Sequence, residues 1–246
     1  MNMNMPNCQG NIYENGLLKE ATGYTLRPGG YYLTDLAVNF CGFKEGEPVL
    51  DVGCGYGATV DRLRNFYHFQ AYGVEPSESI LAKGKKRYPN LPLYQGRGEE
   101  LPFAGESMTG VFLECSLSLM EDMDKALGEF QRVLKQEGKL IIHDVYVRNP
   151  QGVEDLRSLQ LGSCLRQALI KEELADLLAS KKFKILHWQD HTQLLRQLTM
   201  ELIMTHGSLS EFWLKATACT VDPGQIQAAL KKAKIGYFQL IAQKEI

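Results

Sequence analysis

The chain of 246 residues has no surplus of charge, no long apolar run and no paired-cysteine motif. Its 27 lysines and arginines against 29 acids give a net charge of −2, so nothing electrostatic calls for a polyanionic partner. The nearest thing to a basic stripe, Lys83-Gly84-Lys85-Lys86-Arg87, reads as the solvated end of a helix, and no nucleic-acid partner is expected. No stretch approaches 18 uninterrupted apolar residues, and the opening MNMNMPNCQGNIYENG lacks the apolar core of a secretion signal. A cytoplasmic protein without a membrane partner is the expectation. Six cysteines are too few for a dense disulfide framework and include no CxxC pair, so free thiols and no metal site are expected. Repeats and low-complexity segments are also missing.

What remains, 44% hydrophobic and 23% charged, suits one globular domain or a domain with a sizeable insertion. Strand-like runs alternate with helical patterns from about residue 47. EPVLDVG (47–53) precedes a helix from Ala58, and FQAYGVE (69–75) precedes a helix over 76–87 with Ser77 as its N-cap. LPLYQ (91–95) and TGVFLEC (109–115) read as strands, MDKALGEFQRVLK (123–135) as an amphipathic helix, and GKLIIHDVYV (138–147) as a strand. Such βα repeats predict an α/β fold, a Rossmann-like doubly wound sheet with helices on both faces. Residues 1–46 are assigned to an N-terminal helical arm, 47–190 and 235–246 to the core. After the strand candidate KFKILHWQD (182–190), residues 191–234 form a helical cap before the last strand, IGYFQLIAQK (235–244).

The stretch PVLDVGCGYG (48–57) places glycines at 53, 55 and 57 where a strand should turn into a helix. A turn without side chains lets backbone N–H groups approach an anion or a polar cofactor. Gly53, Gly55 and Ala58 also satisfy the GxGxxG/A dinucleotide fingerprint, so the glycines alone leave the cofactor open. Asp51, two residues before the first glycine, puts a carboxylate where a cationic amino group would be bound. Glu75 follows 24 residues later at the end of the second strand, the place from which an acid takes ribose hydroxyls.

With its surroundings, the turn resembles that of the class I S-adenosylmethionine-dependent methyltransferases, of the type-11 or ubiquinone-biosynthesis-like kind. VLDVGCGYG is similar to the family's first motif and YGVEPSESIL to its ribose-binding strand end. GRGEELPFAGESMTGVFLE and ALGEFQRVLKQEGKLII are similar to two further motifs, so that the likeness covers residues 47–147. It implies a seven-stranded sheet, S-adenosyl-L-methionine as cofactor and methyl transfer to a small-molecule acceptor. It also implies that Asp51, Gly53, Cys54, Gly55 and Gly57 meet the methionine part and that Glu75 and Pro76 meet the ribose. Gly98 and Glu99 would take the adenine, because Arg97 stands where the family usually carries an aspartate. Cys115 would contact the sulfonium region through its backbone, and Arg27, in the turn RPGG, is a candidate partner for the cofactor carboxylate.

Methyl transfer from a sulfonium asks a protein for positioning and exclusion of water more than for acid–base machinery. His143 is a candidate general base at the end of the fifth strand, against the alternative of a core histidine with a satisfied hydrogen bond. The sequence lacks the NPPY-like tetrapeptide and the Pro-Cys pair of DNA methyltransferases. By the family topology the linkers after strands five and six, 149–180 and 191–234, should both sit over the cofactor as a cap, with Trp188, Met200, Met204, Phe212 and Trp213 suited to an apolar pocket. Tyr146, Cys164 and Cys219 are candidate acceptor contacts, the two thiols as soft ligands that a metalloid would favour. Two other readings stand beside methyl transfer: a non-catalytic protein that binds the cofactor or assembles with a partner, and an NAD-dependent oxidoreductase.

Overall fold

The apolar runs become the strands of one mixed sheet. The computed structural model describes residues 12–245, so residues 1–11 of the arm and Ile246 of the core lie outside the described residues. The strands are β1 (Pro48–Val52), β2 (Gln70–Glu75), β3 (Leu93–Gln95), β4 (Met108–Glu114), β5 (Leu134–Val147), β6 (Leu169–Ile170), β7 (Phe183–Asp190) and β8 (Ile235–Lys244). Their order is β3-β2-β1-β4-β5-β8-β7, with β8 antiparallel to β5 and β7. These seven form the expected ladder. The two-residue β6, which pairs with Tyr146 and Val147 of β5, makes an eighth strand too short to show a period in the sequence.

Both faces of the sheet are covered. Leu50, Val111 and Leu140 pack under Leu127 and Phe130 of α5 (Met123–Val133) and Leu174 and Leu178 of α7 (Lys171–Ser180). The alternate residues Val49, Phe112 and Ile141 pack under α2 (Tyr32–Cys41), α3 (Ala58–Asn65) and α4 (Glu78–Arg87) through Ala37, Val60, Leu63 and Leu81. Burial on both sides is why these strands read as apolar runs rather than as alternating patterns. Ser77 caps α4 by accepting from Ile80 N–H, and Asp122 caps α5 by accepting from Lys125 N–H at 2.9 Å. Helix α5 stops at Val133, two residues earlier than its periodicity suggests, because Leu134 is claimed by the sheet opposite Met108.

Residues 191–234 fold as α8 (Thr192–His206), α9 (Leu209–Ala216) and α10 (Pro223–Ala233), the last two opened by the caps Ser208 and Asp222. Their apolar faces pack on the N-terminal arm, which carries α1 (Leu17–Thr22). Leu198, Leu202, Phe212 and Trp213 share a cluster with Tyr13, Leu18 and Leu26, and His206 Nε2 meets Leu17 O at 3.1 Å. A short α6 (Val153–Ser158) opens the segment between β5 and α7.

Candidate functional site

The chain order reverses between β1 and β4, and parallel α/β sheets bind ligands beyond their strand ends at such a point. Here the chain leaves β1 through the glycine turn. Gly53 and Cys54 both donate their N–H to Val74 O, at 2.8 and 3.0 Å, which folds the turn back over β2. Gly53 sits at φ 75°, and a Cβ there would come within 2.5 Å of Ser116 Cβ, so no side chain fits. Glu75 holds the rest of the turn: Oε2 accepts from Gly55 N–H at 2.8 Å and Oε1 from Ser77 N–H at 2.9 Å. The carboxylate is thus shared between the glycine turn and the start of α4, with free lone pairs facing the cavity it lines.

That cavity, of about 520 Å³, lies within the range of small-molecule sites. Its floor comes from the ends of β1, β2 and β4, its far wall from Gly96 to Glu99 and Leu119 to Glu121. It is covered by residues 13–14 and 24–27 of the arm and by 160–163 with Arg166 from the segment after α6. These two coverings are tied together. Ile12 N–H donates to Gly162 O at 3.2 Å, Cys164 N–H donates to the Tyr13 hydroxyl at 3.3 Å, and the Ser77 hydroxyl donates to Glu14 at 2.7 Å. The arm therefore crosses the mouth from the post-α6 segment to α4. No residue of 191–234 lines the cavity: Phe212 and Trp213 pack on the arm, Met200 and Met204 face solvent, and Trp188 stacks on Phe238 at 4.2 Å.

Asp51 is the most telling group in the floor. It is buried, lines the cavity, and its Oδ1 has no hydrogen-bond partner among the described residues. Burial raises its pKa well above 3.8, the negative Glu114 adds to the rise, and Arg27 offsets part of it. A buried acceptor without a donor is costly unless a ligand supplies one, and an ammonium group would supply both the donor and the charge.

Arg27 is already committed. The Gly29–Gly30 turn aims it inward, where Nε meets Glu114 Oε2 at 2.9 Å and the other nitrogens donate to the hydroxyls of Thr59 and Thr34 at 2.8 and 2.9 Å. Glu114 also accepts from the Thr34 hydroxyl at 2.8 Å and faces His143 Nδ1 at 2.9 Å. His143 Nε2 faces the Gln239 amide, also at 2.9 Å, so the histidine is held between two partners and does not touch the cavity. Glu114 was not singled out from the sequence. The signal was there, as an acid closing the buried run GVFLE.

The structure gathers Asp51, Gly53, Cys54, Gly55, Glu75, Pro76, Gly98, Glu99, Cys115 and Arg27 on the cavity wall. Gly57 stands off the wall as the N-cap of α3, where its missing Cβ leaves room for Leu93. Glu99 accepts from Glu121 N–H at 2.8 Å, and Arg97 pairs with Glu121 at 2.6 Å. Tyr146 donates to Asp190 at 2.7 Å and lies off the cavity. Cys219 is exposed in the turn after α9, so it and Cys164 do not meet at this wall. The thiol facing Cys164 is Cys115, which the Cys164 thiol and burial together push well above 9.0, and which reaches the Tyr237 hydroxyl at 3.4 Å. At neutral pH Cys115 is a thiol and no nucleophile. Tyr13, Gln160, Ser163 and Arg166 also line the site, brought there by contacts across some 150 residues of chain that no local pattern announces.

Residues 50–142 match the family model described as a methyltransferase domain. This stretch of the chain is a methyltransferase domain. Among curated proteins, the uncharacterized methyltransferase YodH of Bacillus subtilis is 33% identical over 127 residues, covering 50% of this chain and 54% of that protein. A demethylmenaquinone methyltransferase of Chlorobaculum parvum is 34% identical over 108 residues, 43% of this chain and 45% of that protein. The chain spans about half the length of the curated relatives it matches. Of solved structures, the [4+2]-cyclase SpnF superposes with a TM-score of 0.73 at 23% identity, covering 96% of this chain and 95% of that one. Phosphoethanolamine N-methyltransferase 2 of Haemonchus contortus, in complex with phosphomonomethylethanolamine and S-adenosylhomocysteine, gives 0.72 at 19%, covering 96% and 58%. These likenesses show the methyltransferase domain's Rossmann-like fold. A cyclase shares that fold, so it is the sequence match that names the domain.

Proposed function

We propose that the chain transfers a methyl group from S-adenosylmethionine to a small-molecule acceptor. The observation that carries this reading is the unsatisfied Asp51 carboxyl beside the glycine turn that Glu75 holds open, inside the methyltransferase domain. The site suits the cofactor: Asp51 takes the amino group, Glu75 adds ribose hydroxyls to its backbone partners, and the Gly96–Gly98 wall with Leu119 and Met120 takes the base. The bound cofactor supplies an electrophilic sulfonium methyl. The chain's own residues orient the two partners, and the coverings at 12–14 and 160–166 keep water out. The buried Arg27–Glu114 pair fixes the floor and is not a proton carrier, because Glu114 stays ionised near a pKa of about 2.

Residues 191–234 serve in this reading as a buttress for the arm, and the arm serves as the cover. The seat of the activity is a reducing compartment, the cytoplasm, which accords with the five described cysteines being unpaired. The methyl transfer is tested by incubating the protein with methyl-labelled cofactor and a small-molecule extract. Label should pass to the small-molecule fraction. Label found only on protein or nucleic acid would defeat the proposal of a small acceptor.

A further inference from the structure

Three cationic side chains line the cavity, and two of them are matched. Arg27 pairs with Glu114 at 2.9 Å and Arg97 with Glu121 at 2.6 Å. Arg166 lines the same cavity, is exposed, and its guanidinium has no hydrogen bond or ion pair with any described residue. Asp51, Glu75 and Glu114 belong to the floor, and the three carboxylates nearer the covering are engaged elsewhere. Glu14 accepts from the Ser77 hydroxyl, Glu99 from Glu121 N–H, and Glu121 is the partner of Arg97.

The backbone that carries Arg166 is well tied. Arg166 N–H donates to Ser163 O at 3.0 Å, the buried Ser163 hydroxyl accepts from Leu165 N–H at 3.3 Å, and the Gln167 amide donates to Met120 O at 3.1 Å. The side chain is thus a five-donor fork on a fixed base at the cavity mouth, a shape that matches a planar carboxylate or a phosphate. It stands on the covering segment, next to the Cys115–Cys164 contact, whereas Asp51 and Glu75 stand on the floor.

We propose that the methyl acceptor carries an anionic group, a carboxylate or a phosphate, and that Arg166 binds it. The inference rests on the methyl-transfer reading, since it assigns the anion to the acceptor and not to the cofactor. The test uses wild type, Arg166→Gln and Arg166→Lys, each saturated with S-adenosylhomocysteine and titrated calorimetrically with phenylacetate, phenyl phosphate and the neutral phenylacetamide. In wild type at least one anion should bind about tenfold or more tighter than the amide, and which of the two does so separates carboxylate from phosphate. Arg166→Gln should abolish that preference and Arg166→Lys keep part of it, while affinity for S-adenosylhomocysteine is unchanged in both, which also shows that the variants fold. Equal binding of amide and anions by wild type, or a preference that survives in Arg166→Gln, overturns the proposal. A loss of S-adenosylhomocysteine affinity in Arg166→Gln overturns it too, by assigning Arg166 to the cofactor carboxylate. Wild type that binds no S-adenosylhomocysteine overturns the methyl-transfer reading and this proposal with it.

Discussion

Glu114→Gln should lower the midpoint of thermal unfolding by roughly 6–20 °C, from a loss of about 3–5 kcal/mol in a chain of this size. The variant keeps the shape of the side chain and removes its charge. Arg27, 4% exposed, is then left as a buried cation whose one close counter-charge is gone. Asp51 is the next carboxyl, and its Oδ1 makes no hydrogen bond to Arg27. Removing one partner of a buried pair is costly for this reason, whereas replacing both with apolar groups is often tolerated. The double variant Arg27→Met, Glu114→Gln should therefore recover part of the loss, and circular dichroism melts of the set decide it. The pH dependence has a definite sign. Burial works against the charge on Glu114, but Arg27 and His143 outweigh it and bring the carboxyl from 4.5 to about 2. A depressed carboxyl contributes its full stability above 4.5 and loses it as pH falls toward 2. The gap between wild type and Glu114→Gln should be wide at neutral pH and close in acid. An unchanged melt at pH 7 would mean that the pair is not needed.

Glu75→Ala should weaken binding of S-adenosylhomocysteine by at least about a hundredfold. Two ribose hydrogen bonds to an ionised carboxylate, at about 1.5–3 kcal/mol each, amount to about 3 kcal/mol or more. The loss also frees the turn, because the N–H groups of Gly55 and Ser77 lose their acceptor. Glutamine should not rescue it. One end of the amide is an NH2 group, and whichever way it turns it faces a backbone N–H of Gly55 or Ser77. Calorimetry on wild type, Glu75→Ala and Glu75→Gln checks this, and wild-type affinity in Glu75→Ala would remove Glu75 from the cofactor site.

The parts of this site that were legible in the sequence are those built from one strand end and the turn after it. Asp51, the glycines and Glu75 fall in register because β1 and β2 pair in parallel, with Val52 opposite Val74, and that spacing is local. The covering was legible only in part: the linker 149–180 is expected over the cofactor and supplies 160–163 and Arg166, but the arm's share and the contacts between the two were not. Tyr13 and Arg166 reach the cavity through contacts such as Ile12 with Gly162, which depend on how distant segments pack. The helices of 191–234 were readable as helices, but their periodicity says which face is apolar and not what it covers. They lie on the arm because Leu18 and Tyr13 offer an apolar surface there. Arg27 was readable only as a charge in a turn, since its partner Glu114 lies 87 residues further along the chain. Cys164 and Cys219 stand in segments that both follow strands ending at one edge of the sheet, yet one meets Cys115 and the other faces solvent.

Titration of the wild-type protein with S-adenosylhomocysteine, with NAD as the control, tests the central claim most directly. A single site filled by S-adenosylhomocysteine and not by NAD is expected, with affinity that weakens as pH falls. Asp51 must ionise to meet the ammonium, and its raised pKa in the empty site makes that harder the lower the pH. Binding of NAD instead, or no binding of S-adenosylhomocysteine at any pH, would contradict the account.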